Sequence, residues 1–262
     1  MRFPLYQVDA FTREPFKGNP AAVVPLETWI ADATLQSIAT ENNLSETAFF
    51  LPPDHNGVRP LRWFTPTTEI NLCGHATLAS AWIILTVLDP EADGVRFTTR
   101  SGELRVFRHG DALRMDLPSS PPRPCAPPDG LAEMLGAEPL EVLEAEDLLV
   151  RLSDEATVHG LTPDFRRIAA LPWEGVIATA PGEDTCHFVS RFFAPGVGIP
   201  EDPVTGAAHC TLTPYWAQRL ERTVLTARQV SERGGEIECR MVGDRVHLVG
   251  NAVTVLEGTF RF

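Results

Sequence analysis

The stretch INLCGHATLASAWIIL, residues 70–85, sets a thiol, a glycine and an imidazole in a row, at Cys73, Gly74 and His75, ahead of a long uncharged run. Three chemistries are open to it. A thiolate at Cys73 could exchange a proton at an α-carbon. A neutral imidazole at His75 could donate to or accept from a substrate near physiological pH. A glycine at a helix start lets a ligand approach bare amide N–H groups, which suit an anion. The plain alternative is a core helix in which Cys73 is a small buried hydrophobe and His75 a satisfied polar side chain. Two carboxylates extend the set. Glu46 lies in NNLSETAFFL (42–51), where a polar connection meets an apolar strand, and suits a general base and its conjugate acid. It could equally be a loop glutamate bonded to nearby amides. Asp202 lies in GIPEDPVTG (198–206), ahead of Gly206, and could orient an imidazole or merely shape a turn.

The elements that must carry these residues are written twice. Arg62-Trp63-Phe64-Thr65-Pro66 is echoed by Arg191-Phe192-Phe193-Ala194-Pro195, and each is followed by a glycine opening a mostly apolar segment, Gly74 and Gly206. GELRVFRHGDALRM (102–115) then matches GEIECRMVGDRVHL (235–248) without a gap, each reading as a β-hairpin turned at Gly-Asp. The shared order predicts two homologous halves, residues 1–117 and 129–262, each a hairpin-rich sheet around one central helix. The last strand is free to cross back to the first half. A stiff proline-rich connector, 118–128, joins them. A single α+β domain with recurring turns is the alternative. A helix is predicted from Trp29 or Asp32 to Asn43. The run from His75 to Leu88 should be a helix buried all round, whereas Pro214 should bend or interrupt the helix after Gly206. Aligning Gly74 on Gly206 sets Cys73 against Thr205, so the second thiol of a two-cysteine racemase is missing.

Composition narrows the partners. The chain has 262 residues, 44% of them hydrophobic, and a formal charge of −13 with no basic stripe, which argues against nucleic acid. The longest uncharged run falls short of the roughly 20 residues of a membrane span. The N-terminus shows no secretory signal. Five cysteines without CxxC spacing read as reduced thiols, so a cytoplasmic location is expected. Gly196-Val197-Gly198 lacks the third glycine of a dinucleotide loop. His209-Cys210 and Cys186-His187 lack metal-ligand spacing. No serine sits in a GxSxG elbow. Neither cofactor nor metal is expected, which leaves acid–base chemistry or simple binding of a small molecule.

Four segments together, DAFTREPFKGNPAAVV (9–24), NNLSETAFF (42–50), RWFTPTTEINLCGHATLASAW (62–82) and RFFAPGVGIPEDPVTGAAHC (191–210), resemble the PhzF-like family of phenazine biosynthesis, which has the diaminopimelate epimerase fold. The resemblance covers nearly the whole chain. It implies an α+β fold of two pseudo-symmetric halves, each a curved, mostly antiparallel sheet or barrel around a central helix, with the site between them. It also implies a homodimer and a cofactor-free isomerase that moves a proton on dihydro-hydroxyanthranilate. Carried over by motif, the catalytic residues are Glu46 of SET, His75 of CGH and Asp202 of EDPVTG. Main-chain groups around Gly74 and Gly206 would hold a small substrate carboxylate, Ser45, Cys73, Thr205 and Ala207 would be further substrate-binding residues, and Asn19 of the GNP motif would line the site. One departure is Ala207, where the family often has serine. Losing that hydroxyl removes a hydrogen bond worth about 0.5–1.5 kcal/mol while the backbone N–H stays. An amino- or imino-acid epimerase and a non-catalytic small-molecule-binding protein of the same fold are the competing readings.

Overall fold

Short runs rich in β-branched and aromatic residues, punctuated by glycine and proline, favour strands over helices. The computed structural model describes residues 1–261 and contains eighteen strands among them. In chain order these are β1 (Arg2–Ala10), β2 (Asn19–Pro25), β3 (Glu46–Phe50), β4 (Val58–Phe64), β5 (Glu69–Ile70), β6 (Gly94–Thr99), β7 (Gly102–His109), β8 (Ala112–Pro118) and β9 (Arg123–Pro124). The second nine are β10 (Glu141–Glu144), β11 (Leu148–Arg151), β12 (Val176–Pro181), β13 (Phe188–Ala194), β14 (Ile199–Asp202), β15 (Val224–Gln229), β16 (Gly235–Val242), β17 (Arg245–Gly250) and β18 (Ala252–Arg261). Six α-helices accompany them: α1 (Asp32–Asn42), α2 (Gly74–Ile83), α3 (Leu131–Leu135), α4 (Glu155–His159), α5 (Phe165–Ile168) and α6 (Gly206–Leu220).

The chain divides into two units, Met1–Leu117 with the stretch from Val249 onward, and Pro118–Leu248. In the first, β18 pairs antiparallel with β1, and β1 with β2. Strand β2 runs parallel to β3, and β3 antiparallel to β4. Strand β4 then meets the short antiparallel β5 and the parallel β6, after which β7 and β8 follow antiparallel. The second unit repeats the series. Strand β9 pairs antiparallel with β10, and β10 with β11; β11 is parallel to β12, and β12 antiparallel to β13. Strand β13 meets antiparallel β14 and parallel β15, and β16 follows antiparallel. The proline-rich stretch thus supplies β9, and the end of the chain supplies the corresponding strand, β18, of the first unit.

Parallel neighbours require crossovers, and the crossovers carry the helices. Helix α1 bridges β2 to β3, ends on Asn43 in the left-handed region (φ 48), and packs Leu35 and Ile38 with Val24, Phe49 and Phe64. Helix α2 lies between β4 and β6, against β1, β2 and β3. Every residue of α2 is buried except the half-exposed Trp82, and a π-helical turn, Ile84–Leu88, closes it. Helix α6 lies between β13 and β15 in the second unit and runs uninterrupted through Pro214, contrary to expectation. The proline deprives the Cys210 carbonyl of its intrahelical donor. The Ser120 amide replaces that donor at 3.0 Å, so no buried acceptor is orphaned. The second unit's core gathers Leu148, Val150, Val176, Ala178 and Phe193 with Leu131 and Val158.

Candidate functional site

In the first unit the β2–β3 register sets Ala21 beside Glu46, so Asn19, two residues earlier on β2, shares a face with Glu46. Helix α2 packs on β2 and β3, and its second residue, His75, with Cys73 just before the helix, completes a cluster. His75 Nε2 lies 2.9 Å from Glu46 Oε2, at contact distance but without hydrogen-bond alignment. His75 Nδ1 lies 3.1 Å from Asn19 Nδ2 and 3.5 Å from Cys73 Sγ. All four side chains are buried. The donor atoms of Glu46, Cys73 and His75 lie within 4.8 Å of one another, a grouping able to hold a metal ion that linear spacing did not signal. Ser45 sits half-buried beside Glu46 and makes none of these contacts.

Electrostatics assigns the protons. Burial first, and then Glu46, push the Cys73 thiol up to about 11, so it is neutral at physiological pH. Burial alone would pull the His75 imidazole down, yet its neighbours hold it well above the usual histidine range. After burial, the neighbours responsible are Cys73 and then Glu46, both in contact with the ring. The pair is therefore a carboxyl group in contact with an imidazole whose surroundings favour its protonated form.

The second unit arranges Asp202, Thr205 and Gly206 around the start of α6. Thr205, the residue before the helix, is of a type that favours capping, but its hydroxyl donates to Asp202 Oδ2 at 2.5 Å and caps nothing. The first amides of α6, at Gly206 and the half-buried Ala207, are left without a capping side chain. The same is true of α2, which Cys73 precedes without capping. One residue holds the Asp202–Thr205 turn in shape and has no counterpart signal in the sequence: Gln229, fully buried at the end of β15. Its amide accepts from Thr205 N at 2.8 Å and donates to the Asp202 carbonyl at 2.7 Å and the Thr205 hydroxyl at 3.1 Å. His209, also passed over as one of an adjacent pair, is fully buried in the next turn with Nδ1 donating to the Thr205 carbonyl at 2.8 Å.

Residues 8–258 match the family model described as phenazine biosynthesis-like protein. The chain belongs to this family. An uncharacterized isomerase of Pseudomonas aeruginosa is 53% identical over 99% of both chains. The phenazine biosynthesis-like domain-containing protein of Homo sapiens is 40% identical over 99% of both. A PhzF family crystal structure from Enterococcus faecalis superposes with a TM-score of 0.96 at 44% identity, covering 100% of each chain. A hydroxyproline epimerase from Agrobacterium vitis shares the fold, with a TM-score of 0.64 at 10% identity, over 99% of this chain and 91% of that one. The fold is thus the α+β fold of PhzF and epimerase-like proteins. Among the described residues no helix is long and apolar enough to cross a membrane.

Two expected results concern this phenazine biosynthesis-like protein's second unit. Replacing Gln229 by leucine strips partners from the buried Thr205 N–H and Asp202 carbonyl, and should cost about 1–3 kcal/mol. Urea denaturation with amide exchange at Thr205 checks it; an unprotected Thr205 amide in the wild type would refute it. The His209 imidazole is pulled down to about 4 by burial, opposed by its bond to the Thr205 carbonyl. Its folded value lies below the unfolded one, so the unfolded chain takes up a proton first as the pH falls. His209 should therefore remove roughly 3 kcal/mol of stability between about pH 6.5 and 4, and nothing above that window. Denaturation midpoints across that range should flatten in His209→Gln.

Proposed function

We propose that this protein is a cofactor-independent isomerase that moves a proton on a small carboxylate-bearing, amino- or hydroxy-substituted molecule. The observation that carries the reading is the buried contact of Glu46 with His75. A carboxylate held against an imidazole in a nearly dry cluster can take a proton from one substrate atom and return it to another. Glu46 moves the proton, and His75 supports the negative charge that develops on the substrate. Asp202, locked to Thr205, positions a polar substituent. The uncapped amide ends at Gly74 and Gly206 are suited to a substrate carboxylate, because such ends carry unpaired donors and partial positive charge.

The relatives named isomerases support the reaction class. The racemase alternative asks for two thiols in duplicate positions, and this chain offers Cys73 and Thr205. Cys73 is also neutral where a proton-abstracting thiolate would be needed.

The test is incorporation of deuterium from heavy water. Dihydro-hydroxyanthranilate and a panel of small amino and hydroxy carboxylates are incubated with the protein and followed by NMR and mass spectrometry. Exchange at a carbon next to the acidic proton is the expected result. A compound that binds tightly at the cluster, shown by perturbed His75 resonances, and exchanges no proton would overturn the reading in favour of a binding protein.

A further inference from the structure

Cys73 takes no part in the proton transfer proposed above, yet it lies in the same buried cluster, 3.5 Å from His75 Nδ1. Three facts bear on what it can do there. A carboxylate oxygen, a thiol sulfur and an imidazole nitrogen, from Glu46, Cys73 and His75, lie within 4.8 Å of one another. Glu46 Oε2 and His75 Nε2 lie 2.9 Å apart, and neither makes a well-aligned hydrogen bond to any group among the described residues. The side chains that carry them are 6% and 4% exposed, so a third atom there would sit out of bulk water.

We propose that Glu46, Cys73 and His75 form a binding site for one thiophilic divalent cation, Zn²⁺ above all, whose occupancy arrests the Glu46–His75 pair. Charge favours it. A dication met by one thiolate and one carboxylate sums to zero, and a buried cluster tolerates a neutral assembly far better than a net charge. Ligand type favours it too. Sulfur and imidazole nitrogen select zinc and its late first-row neighbours over Mg²⁺ or Ca²⁺. Three protein ligands and one open position make a tetrahedral set, with zinc–ligand distances of about 2.0–2.3 Å. Tetrahedral ligands at those distances stand about 3.3–3.7 Å apart. The more distant donors must therefore draw in and the Glu46–His75 pair, at 2.9 Å, must part slightly, movements the terminal torsions of Cys73 and Glu46 can supply. Binding itself is independent of the isomerase reading; only the arrest of turnover rests on it.

Co²⁺ provides a spectroscopic test on the full-length protein. Titration should saturate at one ion per chain with tetrahedral visible bands and a near-ultraviolet thiolate-to-cobalt charge-transfer band. Zn²⁺ should displace it, and Mg²⁺ should not. Cys73→Ser and Cys73→Ala should both abolish the charge-transfer band, and Glu46→Gln should weaken Co²⁺ affinity at least about tenfold. If wild type exchanges deuterium into a substrate, Zn²⁺ should inhibit it and Cys73→Ser should lose that sensitivity. A missing charge-transfer band, or one unchanged in both Cys73 variants, overturns the site. A normal cobalt spectrum in a protein that exchanges no substrate proton would keep the site and sink the isomerase reading alone.

Discussion

Glu46→Gln should reduce solvent-proton exchange by about a thousandfold, within the 10²–10⁴ range of positioned acid–base groups, with the fold intact. Glutamine matches glutamate in shape and can still meet the His75 ring, so packing at the start of β3 is preserved. It cannot accept a proton at neutral pH. The change also removes the anion that favours the charged imidazole. The His75 ring should thus titrate above the ordinary histidine range in the wild type and fall in the variant, because burial, which opposes protonation, is then countered by Cys73 alone. Circular dichroism establishes the fold, deuterium incorporation the rate, and the His75 ring protons the titration. A variant retaining full turnover removes Glu46 from the mechanism. Glu46→Asp keeps the acid and withdraws it by one methylene, so a loss of about a hundredfold separates misplacement from missing chemistry.

The second large effect is on stability. Arg191 reaches Glu201 with two parallel bonds, Nε to Oε1 at 2.7 Å and Nη2 to Oε2 at 2.8 Å. Its remaining nitrogen binds the Leu161 carbonyl at 3.0 Å, and its guanidinium lies over Phe193. The first unit repeats the device with Arg62, which grips Glu69 at 2.7 and 2.8 Å and lies over Phe64. The Arg191 and Glu201 side chains are only 13% and 21% exposed, so the pair is largely withdrawn from water. Arg191→Met leaves the Glu201 carboxylate without its cation and the Leu161 carbonyl without the guanidinium donor. The expected loss is about 3–5 kcal/mol. Arg191→Met with Glu201→Leu removes both charges and should recover most of it, since a well-packed apolar pair often equals a buried ion pair. Chemical denaturation of the three proteins decides the matter. A single variant within 1 kcal/mol of wild type would mean the pair is effectively solvated.

These pairs mark the boundary of what the sequence made legible. The echo of Arg62 and Arg191 was visible because both stand in a five-residue repeat. Their partners were not, because Glu69 and Glu201 follow at unequal distances that only the β4–β5 and β13–β14 pairings reconcile. Glu46 and His75 could be nominated separately from local context. Their contact depends on the parallel β2–β3 crossover and on where α2 begins, which no linear pattern encodes. The carboxylate touching His75 is Glu46, while the Asp202 carboxylate receives the Thr205 hydroxyl. Pro214 misled for a different reason. A local rule was correct about the missing donor, and a distant amide, Ser120, supplied it. Gln229 gave no signal at all, since a buried glutamine owes its place to bonds with two residues, Asp202 and Thr205, that only folding brings to it.

The pairing of the two chain ends has a further consequence. Arg2 lies opposite Arg261, and the register continues to Ala10 opposite Ala252. A nascent chain emerging from the ribosome therefore offers the Pro118–Leu248 unit complete while the Met1–Leu117 segment still lacks β18. That earlier segment, with Glu46 and His75 aboard, must wait with β1 unpaired along one edge until β18 has been made. Domains synthesised in sequence usually fold first come, first served. Here the order is inverted: the unit that carries Glu46 and His75 is begun before the Pro118–Leu248 unit and completed after it.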